Sequence, residues 1–261
     1  MFISIDVGGT NTRVAGATDL ANPVFNRVVR RRNIHDFEKD MAFMVGAALA
    51  IADGEEIEAV GIGAPGLPNA DKTAIEWAEN LKSWNGRPLA VSLREGLGAP
   101  VFYDSDEPVA ALGEVYYGPT RFTPEGFDYL IWGTGIGGAR VKHGNPPLAT
   151  QLDWRTYFVD WENDNGGAKL TEKFRKAPED FTDADWAVVA KSFERHLGDY
   201  IEMHRPRAIV FGGGLAVKHT VMIENLGRDF GTQINVTKFG GDSGLMGGFG
   251  LIRNRLSLGK R

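Results

Sequence analysis

The chain of 261 residues contains no cysteine. That absence removes disulfide bridges, thiolate zinc sites and cysteine nucleophiles together, and leaves oxygen and imidazole as the available metal ligands. No run of about 18 apolar residues occurs, so the sequence offers no transmembrane helix and no membrane partner is expected. Met1 leads straight into the apolar Phe2-Ile-Ser-Ile5 without the basic and apolar stretches of a secretory leader, and the expected location is the cytoplasm. Positive charge is not in excess either. There are 29 Lys and Arg against 34 Asp and Glu, a net charge of −5, and the longest basic run, Arg30-Arg31-Arg32, reads as the solvated end of a strand begun by Val28 and Val29. Nucleic acid is therefore not an expected partner. A P-loop is excluded because Gly-Lys-Ser/Thr occurs nowhere, and the histidines, His143 and His204 among them, show no ligand spacing.

What is present is the composition of a folded globular protein: 43% hydrophobic and 24% charged residues exclude disordered, collagen-like and coiled-coil classes. The length admits one large domain or two smaller ones. The chain opens on Phe2-Ile-Ser-Ile-Asp-Val-Gly-Gly-Thr-Asn-Thr-Arg-Val-Ala15, a strand that turns on Gly8 and Gly9 and leaves as a second strand. Two readings fit this stretch. Gly8, Gly9, Thr10 and Asn11 can bring N–H and side-chain donors up to a phosphate, with Asp6 at the strand end as a partner for phosphate-bound Mg2+; the other reading is an ordinary Gly-Gly hairpin turn without a ligand.

Pro23 to Arg30 reads as a third strand. Helical spacing then runs from Asp36, a candidate cap, to Ala52. Ile57 to Gly66 is a buried strand that breaks on Gly63-Ala-Pro-Gly66, Pro88 to Leu97 a short helix, and Ala99 to Asp104 another strand. Val109 to Tyr117 is helical, so Asp106 lies where strand gives way to helix. The turn-rich Gly118 to Gly126 marks a domain boundary. Phe127 to His143 then repeats strand, Gly/Thr turn and strand. A capping box at Thr182 and Asp185 opens a helix that ends near Arg205, and Ala208 to Gly214 is a buried strand breaking on glycines. The expected organisation is a duplicated βββαβ-type unit: residues 1–117, residues 118–243, and a terminal helix over 244–261 that packs back on the first domain. Each copy offers a glycine-rich hairpin, and the two would face each other across a cleft.

Gly133, Gly135 and Gly138 also satisfy G-x-G-x-x-G, but a dinucleotide site needs a helix directly after the glycines. Here Ala139 to His143 continues as a strand. Two hairpin turns suit a nucleoside triphosphate better, and a strand-end carboxylate such as Asp106 can accept a proton from a substrate hydroxyl in phosphoryl transfer. The alternative role for Asp106 is capping or ion pairing at the helix start.

In order and spacing, Asp6-Val-Gly-Gly-Thr-Asn, Gly63-Ala-Pro-Gly66, Asn80-Leu-Lys-Ser-Trp84, Gly133-Thr-Gly-Ile-Gly-Gly138, Gly212-Gly-Gly214 and Gly244-Leu-Met-Gly-Gly248 resemble the ROK family of sugar kinases over nearly the whole chain. The resemblance implies an α/β protein of actin/hexokinase-like fold, with two RNase H-like domains and an active-site cleft between them, that transfers the γ-phosphate of Mg-ATP to a sugar hydroxyl as a homodimer. It implies that Asp6, Gly8, Gly9, Thr10 and Asn11 meet phosphate and Mg2+, Asp6 directly or through water. Gly133, Thr134 and Gly135 would hold phosphate, and Gly212, Gly213 and Gly214 would border the adenosine. Asp106 falls at the family's catalytic Asp, Ser105 where a sugar-binding Asn is usual, and Gly66 and Asn80 at the sugar pocket.

Two departures stand out. The Glu-x-Gly-His motif, whose His joins a cysteine cluster on structural zinc, is replaced by Gln151-Leu-Asp-Trp154, so no zinc is expected. The Asn-Asp-Ala-Asn run reads Ser105-Asp106-Glu107-Pro108. Gln151, Asp153 and Glu172 are the polar candidates to replace the lost sugar contacts. Trp154, Tyr157, Phe158 and Trp161 read as core or interface residues rather than as a sugar-stacking surface. The alternative to a kinase is a catalytically degenerate family member that binds nucleotide or sugar as a sensor.

Overall fold

The computed structural model describes residues 1–25, 27–79, 81–118 and 126–258. They form two compact units: Met1–Pro119 with Asn145–Pro147 and Asp242–Arg261, and Thr120–Gly144 with Leu148–Gly241. The boundary expected at residues 118–126 lies, for residues 119–125, outside the described residues.

In the first unit, β1 (Phe2–Val7) pairs antiparallel with β2 (Asn11–Ala17), which pairs with β3 (Val28–Arg32). Helix α1 (Phe37–Ala52) follows, begun by Asp36, whose carboxylate accepts from Lys39 N at 3.2 Å. The chain then forms β4 (Ala59–Ala64), the short hairpin β5 (Leu67–Pro68) and β6 (Ile75–Trp77), α2 (Leu89–Leu97), β7 (Val101–Ser105) and α3 (Asp106–Tyr117). The five-stranded sheet has the order β3-β2-β1-β4-β7, with β1, β4 and β7 parallel. Ile3, Ile5 and Val7 enter the core beneath α1 and α2, while Ser4 faces the other side. All six residues of β4 are buried, as befits a central parallel strand covered on both faces.

Two expected boundaries move. The third strand starts at Val28 and runs to Arg32, because its register on β2 matches Val28 with Ala15 and Arg32 with Asn11; the run Arg30-Arg31-Arg32 is well tolerated on an edge strand. Helix α3 begins at Asp106 rather than Val109, with Ser105 as its N-cap, since Pro108 in the first turn needs no N–H partner.

The second unit repeats the plan. Strands β8 (Phe127–Trp132), β9 (Ile136–Lys142) and β10 (Leu148–Gln151) form a meander. After it come α4 (Trp154–Tyr157), α5 (Val159–Asn165), α6 (Gly167–Phe174) and the long α7 (Asp183–His204), which starts with the capping box of Thr182 and Asp185. Strand β11 (Ala208–Gly212), α8 (Gly214–Lys218), α9 (Thr220–Phe230) and β12 (Gln233–Val236) complete it. The order β10-β9-β8-β11-β12, with β8, β11 and β12 parallel, is that of the first sheet. Phe158 and Trp161 lie in the core of this unit, with Trp154 and Tyr157 packed against it. Tyr200 and Arg140 both bind the buried carboxylate of Asp128: Tyr200 OH donates at 2.6 Å, and the guanidinium donates two bonds at 2.7 and 2.8 Å.

The chain returns to the first unit as α10 (Ser243–Leu258). It packs on β1, β4 and α3 through glycines. A Cβ on Gly113 of α3 would lie 2.8 Å from Gly247 N and 3.0 Å from Met246 C. Ser4 Oγ donates to Leu245 O at 2.6 Å, bonding the first strand to the last helix. Among the described residues no helix is long and apolar enough to cross a membrane.

Candidate functional site

In the first unit, Asp6, Gly66, Ser105 and Asp106 stand at the carboxyl ends of the parallel strands β1, β4 and β7, where Asp6 is level with Gly63 and Gly63 with Asp104. Open parallel sheets bind ligands at this edge, because the strand ends and the following helix N-termini converge there. The β1–β2 turn is closed by Gly8 N donating to Asn11 O at 2.9 Å. Asn33, buried, fixes it from behind: its amide donates to Gly8 O at 2.6 Å, its backbone N–H donates to Thr10 O at 2.9 Å, and its side-chain oxygen accepts from Thr12 Oγ1. In front of Gly9 an added Cβ would meet nothing within 4 Å, and Thr10 is exposed. The turn is thus held rigidly on one side and open on the other.

Asp106 is the first residue of α3 and is partly buried. Burial pushes its carboxyl up to about 6, against the pull of a hydrogen bond with Glu107, and the neighbouring charge of Asp6 adds to the rise. Ser105 Oγ donates to Gly66 O at 2.6 Å, and Gly66 takes φ +107, in the region that favours glycine. Beside them the buried Asp104 accepts from Ser105 N at 3.0 Å and pairs with Lys72 from the β5–β6 hairpin. Asn80 lies outside the described residues.

Asp6 is engaged. Arg13, opposite it in the hairpin register, donates through Nε at 3.0 Å and Nη2 at 2.6 Å to Asp6 Oδ2, and through Nη1 at 3.0 Å to Asp242 Oδ1. Among the described residues no group of three or more Asp, Glu or His side chains is arranged to hold a metal ion. Asp6 Oδ2 is thus taken by the guanidinium, and a divalent cation held near this carboxylate would draw most of its ligands from phosphate and water.

In the second unit, the two glycine segments come together: a Cβ on Gly133 would lie 3.8 Å from Gly214 N and 4.0 Å from Gly213 Cα. The β8–β9 turn is anchored from below by α6, whose Gly167 and Ala168 N–H groups donate to Gly133 O and Thr134 O, both at 2.9 Å. A Cβ on Gly212 would lie 2.7 Å from Tyr129 Cζ, and Gly213 sits at φ +92 over the Trp132 backbone. Beyond Gly214 the space is open. Such a bare backbone surface suits the close approach of a flat or phosphorylated ligand.

Of the proposed replacement sugar contacts, Gln151 ends β10, opposite Ala139. Asp153 is the N-cap of α4, accepting from Arg155 N at 2.9 Å and Thr156 Oγ1 at 2.8 Å; the Thr156 bond leads in holding its carboxyl below the usual range. Glu172 is exposed on α6, 3.4 Å from Lys169. Four residues near these turns escaped the sequence reading: Arg13, Asn33, Asp242 and Glu162. Glu162 Oε2 accepts from Ile136 N at 2.8 Å and Trp154 Nε1 at 3.2 Å, against the Gly135 end of the turn. Arg13 was legible from hairpin pairing, since the register about the Gly8-Gly9 turn sets it opposite Asp6; the others carry no local signal.

A family model described as the ROK family matches residues 2–147, more than half of the chain. The chain is similar to a glucokinase of Thermotoga maritima, 32% identical over 147 residues that make up 55% of this chain and 45% of that protein. It is also similar to an N-acetyl-D-glucosamine kinase of Pectobacterium atrosepticum, 32% identical over 149 residues, 56% of this chain and 47% of that one. In these matches the chain spans about half the length of the two curated relatives. Among solved structures, a ROK family glucokinase from Streptomyces griseus in complex with glucose and AMPPNP has the same fold, with a TM-score of 0.77 over 96% of this chain and 98% of that one at 18% identity.

Proposed function

Because the chain belongs to the ROK family and has the actin/hexokinase-like fold of its structural relatives, we propose that it is an ATP-dependent sugar kinase acting on a hydroxyl of a hexose or N-acetylhexosamine. The observation that carries this reading is the placement of Asp106 at the β7–α3 junction, at the same sheet edge as Asp6 and with its carboxyl raised to about 6. A carboxylate at that value is ionised at neutral pH yet basic enough to take a proton as the new O–P bond forms. In this reading Asp106 accepts the hydroxyl proton, and in-line attack on the γ-phosphorus expels ADP. The Gly8 to Asn11 turn positions phosphate, Gly133 to Gly135 presents a second phosphate-binding turn, and Gly212 to Gly214 borders the adenosine. Asp6 would hold Mg2+, which supplies charge neutralisation on the phosphates when bound.

A coupled ADP-release assay over hexoses, N-acetylhexosamines and pentoses tests the proposal. Asp106→Asn is expected to lose sugar-dependent ADP release while retaining ATP binding, and turnover like that of the parent in this variant refutes Asp106 as the base. A second reading, a nucleotide or sugar sensor without catalysis, draws support from the commitment of the Ser105 hydroxyl to Gly66 O and of the Asp153 carboxylate to its helix cap. Absence of ADP release with every sugar, alongside measurable sugar binding, would favour it.

A further inference from the structure

The β5–β6 hairpin is built around its tip. Asn69 Oδ1 accepts from Thr73 N at 2.8 Å and Ala74 N at 3.0 Å, Asn69 O accepts from Lys72 N at 2.9 Å, and Asn69 N donates to Ala74 O at 2.9 Å. These bonds hold Lys72 at φ +54, in the left-handed region that a lysine rarely enters. A backbone outlier kept in place by its surroundings points to a use for the side chain it carries. That side chain ends on Asp104, which is 8% exposed against 36% for Lys72.

Asp104 divides its two oxygens. Oδ2 accepts from the Lys72 ammonium, and Oδ1 accepts at 3.0 Å from the N–H of Ser105, the residue that caps α3 ahead of Asp106. Arg255 of α10 stands farther off, 3.8 Å from Oδ2. A carboxylate buried to this degree needs a close counter-charge, and Lys72 is the closer of these two cations. At the base of the hairpin, Ser105 Oγ donates to Gly66 O, and a Cβ on Gly66 would lie 2.4 Å from Trp77 O. The hairpin is therefore tied to the end of β7 by its tip and by its base, and both ties meet on the two residues before Asp106.

We propose that Lys72 is a positioning residue for sugar phosphorylation: through Asp104 it fixes the hairpin on β7, and with it the placing of Gly66 and Asp106 toward the sugar. The inference rests on the reading of the chain as a sugar kinase with Asp106 as its base. It assigns to Lys72 the sugar side of the reaction and leaves the nucleotide side untouched. A tie that only held the fold would cost stability without distinguishing sugar from ATP.

The test is steady-state ADP release by the full chain with sugar and ATP varied in turn, using glucose or N-acetylglucosamine, whichever the parent turns over faster. The variants are Lys72→Asn, Lys72→Arg, Asp104→Asn, the double variant of Lys72→Asn with Asp104→Asn, and Asp106→Asn. Asparagine accepts the left-handed backbone, so Lys72→Asn removes the ammonium and keeps the tip. Its kcat/KM for the sugar is expected to fall about three- to tenfold, the scale of a partly exposed ion pair lost, with KM for ATP held within about twofold. Lys72→Arg, which keeps the charge, is expected to recover most of that loss. Asp104→Asn can still accept from Ser105 N but no longer pairs with the ammonium, and is expected to show a similar fall. The double variant is expected to be no worse than either, because both changes break one link. Should Asp104→Asn fail to fold, Lys72→Asn and Lys72→Arg decide the matter. Sugar kinetics like the parent's in Lys72→Asn, equal rises in KM for sugar and ATP, or losses that multiply in the double variant overturn the positioning role; with Asp106→Asn inactive, the kinase reading then stands. Turnover retained in Asp106→Asn, or no ADP release by the parent with either sugar, overturns that reading and the inference with it.

Discussion

Gly113 and Gly46 put the same substitution, glycine to alanine inside a helix, into opposite surroundings. In an exposed helix interior the change gains about 0.5–1 kcal/mol, because alanine loses less backbone freedom on folding. Gly46 in α1 is exposed, and its added Cβ meets nothing within 4 Å, so Gly46→Ala is expected to collect that gain. Gly113 in α3 starts with the same gain. Its Cβ, however, would stand 2.8 Å from Gly247 N, 3.0 Å from Met246 C and 3.1 Å from Gly247 Cα, all backbone atoms of α10 that no rotamer change can move. Overpacking of this kind costs about 1–3 kcal/mol, and rigid neighbours place it near the upper end.

Subtracting the propensity gain leaves Gly113→Ala destabilised by about 2 kcal/mol, or roughly 4–8 °C in the melting temperature, where Gly46→Ala rises by roughly 1–4 °C. Thermal unfolding of the two variants by circular dichroism compares them directly. Because α3 carries Asp106 at its first position, Gly113→Ala is also expected to lower sugar-dependent ADP release. A Gly113→Ala protein as stable as Gly46→Ala would refute the close backbone packing of α10 on α3.

With Asp106 as the proposed base, its carboxyl, raised to about 6 chiefly through burial, is expected to make kcat/KM for sugar phosphorylation level above about pH 7 and falling tenfold per unit below about pH 6; a profile without an inflection near 6 argues against this base. The stability term has the opposite sense. A folded value above the usual 3.8 adds stability that is fully present below about pH 4 and lost as pH rises through about 6, and Asp106→Asn is expected to abolish that part of the pH dependence of unfolding. Tyr200→Phe removes one donor from the buried Asp128 and leaves it the two bonds from Arg140; a loss of about 1–3 kcal/mol is expected, read as a lower urea midpoint, and an unchanged midpoint would contradict the network.

The first unit was legible where hydrophobic period and punctuation agree. The Gly8-Gly9 turn between alternating strands, the Asp36 cap and the apolar run through Ala64 each state one structure locally, and the structure follows them. The repeated strand order was legible for the same reason, because Phe127 to Lys142 echoes the opening hairpin and Ala208 to Gly212 echoes β4. The segment from Leu148 to Phe174 was not. Its elements are 4 to 8 residues long, too short to set a period, and they are placed by tertiary contacts such as Glu162 on Ile136 N and Asn165 Nδ2 on Val189 O. Asp242 and Asn33 reach the first turn over 229 and 25 residues of chain, distances at which sequence pattern carries no pairing information.

The bond from Ser4 to Leu245 spans 241 residues, and this sets a schedule for biosynthesis. From Tyr117, the end of α3, to Leu258, the end of α10, is 141 residues (258 − 117). At about 5–20 residues per second, translation needs roughly 7–28 s to cover that length. Through that interval the emerging β1, β4 and α3 lack the helix that covers them. Leu245, Phe249 and Ile252, which seal this side of the sheet against Ala15, Ala17 and Ala59, arrive last. The nascent first half therefore waits on the ribosome with an apolar face open to water. A circular permutant that begins with α10 and joins it ahead of β1 would shorten the wait to the synthesis of one unit.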